Sequence, residues 1–372
     1  MQKKRIAVIS YHTCPLAAQE GKESGGMNIY VLELSKALIS QGYKIDIFTR
    51  IQDIISPEIV NLGKDLSVIH LPAGPKHNLP KKKLINYIDK FSTSLALFIS
   101  KKKYLYDYIH CHYYMSGLVA LRLRKNYFFK QPIITTFHTL ALMKNLVARN
   151  SREHESRLRI NAEFDLVKES QIITASSQND KDYLVNLYNC PSNKIHVIHP
   201  GVDSKIFKPI PKKEALNYIQ SVTTNKIILF VGRIEPLKGI DTLMHAIKIL
   251  QSKKPELKLC LLIVGGVTET NAVKNNPELA RLKRLQKTLG ISPIVGYVAQ
   301  RHQHELPYYY NASEVVVMPS YYESFGMTAL EAMSCGRPVI ITNTSGISSI
   351  IDDEFQSLIV SANNPLQLAN QI

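Results

Sequence analysis

Short apolar runs alternate with stretches of helical period along most of the chain. Strand-like runs fall at residues 5–10, 44–49, 66–71, 108–111, 133–137, 172–175 and 195–198. Helical spacing falls at 27–41, 82–102 and 152–169, with further helices opening at 116 and 178. Alternation of this kind predicts α/β structure with a parallel, doubly wound sheet. The rhythm breaks after Pro200-Gly201, where Pro209 and Pro211 precede a lysine-bearing segment. A second series then runs through strands at 226–231, 259–264, 294–297, 314–319, 339–342 and 358–360. The expectation is two Rossmann-like domains, 1–201 and 226–372, joined by a linker at 202–225 and enclosing a cleft.

The richest stretch is Tyr321-Tyr322-Glu323-Ser324-Phe325-Gly326-Met327-Thr328-Ala329-Leu330-Glu331-Ala332. It sits between the run at 314–319 and a helix expected at 325–335, so it marks a strand's carboxyl end. In open α/β sheets ligands bind there, and a helix N-terminus suits an anion. Glu323 and Glu331 are placed to hold hydroxyls on different parts of one extended ligand. On spacing alone, a loop acid and a helix-face acid with no shared ligand is the commoner arrangement, since surface glutamate is common.

Three more motifs follow strands. Gly25-Gly26-Met27-Asn28 opens the first long helix; paired glycines allow close backbone approach, and the helix start offers N–H groups to a phosphate. This is neither GxGxxG nor a Walker motif. In Val231-Gly232-Arg233-Ile234-Glu235-Pro236-Leu237-Lys238-Gly239, Arg233 and Lys238 suit a grip on one diphosphate, the first as a fork and the second as a point charge. Phe137-His138-Thr139 ends a strand of the first domain, where a histidine serves structure more often than chemistry.

Composition narrows the classes. The 372 residues exceed one ordinary core. No apolar run reaches the ~18 residues of a membrane span. The five cysteines form no CxxC pair, which points to a reducing, cytoplasmic setting and away from zinc. The net charge of +16 is concentrated: residues 76–130 hold twelve Lys or Arg against Asp89 and Asp107. Such a face draws anionic metabolites or anionic lipid in peripheral membrane contact. Without a nucleic-acid motif, no nucleic-acid partner is expected.

Taken together, GGMNIY (25–30), FHTL (137–140), HPGVD (199–203), GRIEPLKG (232–239) and ESFGMTALEA (323–332) resemble the retaining GT-B-fold glycosyltransferases of family 4/group 1. That family includes sucrose-phosphate synthase and the inositol-phosphate N-acetylglucosaminyltransferase of mycothiol synthesis. The motifs occur in family order and span nearly the whole chain. The resemblance implies transfer from a nucleoside-diphosphate sugar with retention and without a DxD-bound metal or other cofactor. It assigns Arg233 and Lys238 to the leaving diphosphate, Glu331 to the ribose, and Glu323 with the N–H groups of Ser324, Phe325, Gly326 and Met327 to the donor sugar. Gly25 and Gly26 meet the diphosphate, and His138 lies beside the reacting centre, so His138, Arg233, Lys238 and Glu323 are the catalytic set.

For the acceptor, the resemblance implies Asn28, Lys81, Tyr113, Thr139 and one of the arginines at 157 and 159, with Arg157 entered in the set, around a phosphorylated sugar or polyol. The same basic domain also suits a membrane carrying a lipid-linked acceptor. Family members usually continue with helices beyond the position of Ile372, so the resemblance implies a longer second domain. Two other classes stay open: a nucleotide-sugar epimerase, and a catalytically silent nucleotide-sugar-binding protein. The absence of a pyridoxal-phosphate lysine motif speaks against a phosphorylase.

Overall fold

The computed structural model describes residues 3–16, 26–102, 104–220, 226–266, 276–351 and 358–372. It divides into two units, Met1–Ile198 and His199–Ile372.

The first unit is built on eight strands: β1 (Arg5–Ile9), β2 (Lys44–Arg50), β3 (Ile59–Asn61), β4 (Leu66–Leu71), β5 (Tyr108–His112), β6 (Ile133–Thr136), β7 (Ile172–Ala175) and β8 (Ile195–Val197). Their order is β3-β4-β2-β1-β5-β6-β7-β8. All pairings are parallel except β3 with β4. Helices cover both faces, so the central strands carry long apolar runs; Ala7, Val8, Ile9, Ile45, Ile47 and Phe48 are all buried, alongside the buried polar side chains of Asp46, His110 and His112. The strand order reverses direction about β1, and the loops leaving β1, β5 and β6 gather at one end of the sheet.

The second unit has six parallel strands: β9 (Lys226–Val231), β10 (Leu259–Gly266), β11 (Val295–Ala299), β12 (Val315–Met318), β13 (Val339–Thr342) and β14 (Ile359–Val360). They run in the order β11-β10-β9-β12-β13-β14, so β9 and β12, the two strands feeding the charged motifs, are neighbours. Leu229, Val316 and Ile341 lie on one face of this sheet, and Ile228, Val317 and Ile340 on the other.

Two expectations change. The segment anticipated as a linker belongs to the second unit: Phe207 is fully buried in its core beside Tyr310, and a helix forms over Lys212–Tyr218. Of its prolines, Pro211 stands at the N-cap of that helix. The single helix expected at 82–102 is instead a turn of α-helix at Lys81–Leu84, a 3₁₀ turn at Ile85–Tyr87 and a helix at Ile88–Ser100. The break falls where the Tyr87 ring covers Gly74; a Cβ at Gly74 would stand 2.5 Å from that ring.

Candidate functional site

In the second unit the two charged motifs meet. The loop after β9 turns through Gly232 and Gly239, both at positive φ, and Tyr321 N–H donates to Leu237 O at 2.9 Å to tie it to the loop after β12. A Cβ at Gly239 would fall 2.0 Å from the Pro319 carbonyl oxygen, so the two loops approach this closely only because that position is glycine. Lys238 Nζ is thereby brought into an ion pair and hydrogen bond with Glu323 Oε2, both partners partly buried. Arg233 stands further out, 54% exposed, and pairs with Glu235 at 2.7 Å.

Gly326, at φ 114, caps the helix Met327–Ser334. The first N–H groups of that helix have no intrahelical acceptor and carry the positive end of the helix dipole. Phe325 N-terminal to it is buried, its carbonyl accepting from Ile347 N–H at 2.6 Å, so the loop is fixed from behind. Glu331 lies on the inner side of this helix at 6% exposure. Tyr310 O–H donates to its Oε2 at 2.6 Å. Burial pushes the Glu331 carboxyl up to about 7, with the Tyr310 bond acting in the opposite direction.

In the first unit, four predicted side chains converge where β5 and β6 end. Lys81 Nζ lies 4.1 Å from the centroid of the Tyr113 ring, and the Arg159 guanidinium 4.9 Å from it. Arg159 Nη2 donates to Thr139 O at 2.8 Å and to Thr139 Oγ1 at 3.1 Å. The arginine brought to this cluster is Arg159; Arg157, entered in the expected set, is exposed on the opposite side of the helix Arg157–Glu169. The buried stripe of that helix is Arg159, Ala162, Glu163, Leu166 and Val167, and 157 falls off it.

Arg159 is 2% exposed and its fork is fully committed: Nε to Glu163 at 2.7 Å, Nη1 to Glu155 at 2.9 Å and Nη2 to Thr139. Thr139 Oγ1 accepts from that fork, which leaves its own hydrogen to donate elsewhere. Tyr113 and His138 both hold positive φ, 76° and 62°, which non-glycine residues adopt at a cost of order 1–3 kcal/mol.

His138 sits in a cluster of histidines. Its Nε2 lies 3.0 Å from His112 Nδ1, and the His110 and His112 rings are 4.2 Å apart. Burial holds the His138 imidazole down to about 3 and His110 to about 4, and depresses His112 strongly, so all three are neutral near pH 7. At the start of the helix Gly26–Ser40, Asn28 is 5% exposed and, among the described residues, neither its Oδ1 nor its Nδ2 has a partner. A buried amide left unsatisfied is costly, and a ligand is the natural remedy. A Cβ at Gly26 would meet nothing within 4 Å, so that glycine borders open space. Gly25 lies outside the described residues.

The family model described as "Glycosyltransferase Family 4" matches residues 24–205, and that described as "Glycosyl transferases group 1" matches 212–372. The D-inositol 3-phosphate glycosyltransferase of Corynebacterium jeikeium is 35% identical, with 99% of this chain and 87% of that protein covered. This chain belongs to the family 4/group 1 glycosyltransferases. The protein of the same name from Corynebacterium glutamicum is 32% identical over 97% of this chain and 85% of its own length. Among solved structures, sucrose-phosphate synthase from Thermosynechococcus elongatus superposes with a TM-score of 0.88 at 30% identity, covering 99% of this chain and 88% of that one. The two parallel-sheet units are thus those of a GT-B glycosyltransferase.

For a family 4 glycosyltransferase the second-unit site has the needed chemistry. Lys238, Arg233 and the start of the helix Met327–Ser334 stand at the ends of neighbouring strands, a fixed positive field of the kind that stabilises a leaving anion. Among the described residues, no three His, Cys, Asp or Glu side chains are grouped so as to hold a metal ion. The sequence reading passed over Tyr310 and His112. Tyr310 lies in the helix Leu306–Ala312, which carried no recognised motif. His110 and His112, at i and i+2 of β5, were a readable sign of one shared strand face.

Proposed function

We propose that this glycosyltransferase moves the sugar of a nucleoside-diphosphate sugar to a phosphorylated polyol of the inositol-phosphate class, with retention of configuration and without a required metal. The observation that carries the acceptor reading is the cluster of Lys81, Tyr113, Thr139 and Arg159. It combines one ammonium, a phenol and a hydroxyl oriented by a buried guanidinium, a donor set suited to phosphate oxygens. The curated relatives named above are called D-inositol 3-phosphate glycosyltransferases, which supports the same acceptor class.

Each residue then has a task in the reaction. Breakage of the anomeric C–O bond delivers charge to the diphosphate, which Lys238, Arg233 and the start of the helix Met327–Ser334 stabilise without reorganisation. Glu331 accepts from the ribose hydroxyls while Tyr310 occupies its other lone pairs. Glu323 takes hydroxyls of the donor sugar and steadies Lys238. The unpartnered amide of Asn28 bonds the polyol, and Lys81, Tyr113 and Thr139 hold its phosphate.

The experiment supplies UDP-, GDP- and ADP-linked sugars with inositol phosphate in the presence of EDTA and follows product by mass spectrometry and anomeric NMR. A phosphorylated glycoside of retained configuration is expected. Product from unphosphorylated inositol alone, inverted product, or activity abolished by EDTA and restored by a divalent cation would each contradict the corresponding part.

A further inference from the structure

Resting on the reading that His138 lies beside the reacting centre, we propose that His112 is a positioning residue that fixes the tautomer of His138. In the fixed form His138 presents Nδ1–H to a substrate oxygen and serves as a hydrogen-bond donor, not as a base.

The argument begins with proton counting. His112 Nδ1 and His138 Nε2 are 3.0 Å apart, a hydrogen-bond distance, so one nitrogen carries a proton and the other accepts it. No carboxylate contacts either ring among the described hydrogen bonds, and burial disfavours the imidazolium form of both. Two neutral rings sharing one hydrogen bond have two arrangements. In the first, His112 Nδ1–H donates to His138 Nε2, and the remaining ring proton of His138 is on Nδ1. In the second, His138 Nε2–H donates to His112 Nδ1, and the remaining proton of His112 is on Nε2.

The surroundings of His112 separate these arrangements. Its ring is fully buried, and among the described residues its Nε2 has no partner. The second arrangement would seal an N–H donor in a site with no acceptor. Orphaned buried N–H groups are the rarer and costlier defect, whereas an unpaired lone pair is tolerated more readily. The first arrangement is therefore the stable one. His138 is half-buried and makes no other side-chain hydrogen bond among the described residues, so its Nδ1–H is left to a ligand.

The neighbours hold the pair in place. Tyr30 from the helix Gly26–Ser40 stands edge-on to both rings, with centroids 5.9 Å from His112 and 5.2 Å from His138. His110 lies against His112 and is itself anchored, its Nε2 2.9 Å from Thr136 Oγ1. The positive φ of His138 turns its side chain back over the end of β6 toward His112. Strain at that backbone has an evident use: it delivers the imidazole to the partner that sets its proton.

The test has two parts. Long-range ¹H–¹⁵N spectra of the wild-type protein should show His138 with Nδ1 protonated and Nε2 unprotonated, and His112 protonated on Nδ1. The reverse pattern, or rapid averaging of both forms at His138, overturns the proposal without any variant. In the transfer assay with a nucleotide sugar and inositol phosphate, His112→Leu should lower kcat about 10- to 30-fold with donor KM nearly unchanged, the loss of one oriented hydrogen bond. His112→Asn, whose amide places an N–H near the position of Nδ1, should recover most of that loss and restore the His138 spectrum. Where His138→Ala impairs transfer, an unchanged rate in His112→Leu, or no recovery in His112→Asn, contradicts the proposal. His138→Ala separates the two readings: if it leaves transfer unchanged while the spectra show the Nδ1–H form, the catalytic placement of His138 is wrong and the tautomer lock stands.

Discussion

Lys238 and Glu323 form an ion pair across the loops that follow β9 and β12. The cation assigned to the diphosphate and the carboxylate assigned to the donor sugar are therefore in contact. Each therefore orients the other.

The pair predicts a split in kinetics. Lys238→Ala should weaken nucleoside-diphosphate binding about 10- to 100-fold, the range of a hydrogen bond to a charged group with its partner left unpaired. Glu323→Ala should lower kcat more than affinity. Because the residues touch, the double variant should cost less than the sum of the singles. Calorimetry and initial rates on the three variants check this, and strictly additive losses would show that the contact is incidental.

Glu331 predicts a pH dependence of donor binding. Burial raises its carboxyl to about 7, above the ordinary carboxylate range, and hydrogen bonds from ribose hydroxyls would favour the ionised form. Affinity for an intact nucleotide sugar, whose phosphates do not titrate in this range, should rise as pH increases through 7, with proton release on binding. The Tyr310 bond lowers this pKa, so Tyr310→Phe should move the midpoint upward. Titrations in two buffers of different ionisation enthalpy measure both effects. For stability the sign is opposite: a raised carboxyl favours the folded state below its unfolded pKa, and the gain is lost as pH rises through about 7.

Arg159 predicts a large stability effect. It and Glu163 are both buried, and Glu163 also accepts from Ala141 N–H at 2.8 Å and from Tyr188 O–H. Arg159→Ala leaves that carboxylate uncompensated and should cost about 3–5 kcal/mol in denaturant unfolding. Arg157→Ala, on the exposed side of the same helix, should change stability by less than about 0.5 kcal/mol.

The division between these arginines shows what was legible in the chain. All strands but the short, largely exposed β3, the two-unit organisation and the loops carrying Glu323, Lys238 and His138 were readable, because apolar runs mark strands and the motifs stand at their ends. The choice between Arg157 and Arg159 rests on the phase of one helix, and the signal was present: Arg159 is four residues from Glu163 and in line with Leu166. The core role of Phe207 was hidden by neighbouring prolines that read as a linker. The pairings of Tyr310 with Glu331 and of His112 with His138 join separate elements, and local pattern carries no record of such contacts.

The most direct measurement compares kcat/KM for inositol phosphate with that for unphosphorylated inositol, in the wild type and in Lys81→Ala. A phosphate held by Lys81, Tyr113 and Thr139 predicts a preference of about 100-fold or more for the phosphorylated acceptor, largely lost in Lys81→Ala through KM. Equal use of the two acceptors by the wild type, or an unaltered preference in Lys81→Ala, would contradict the account.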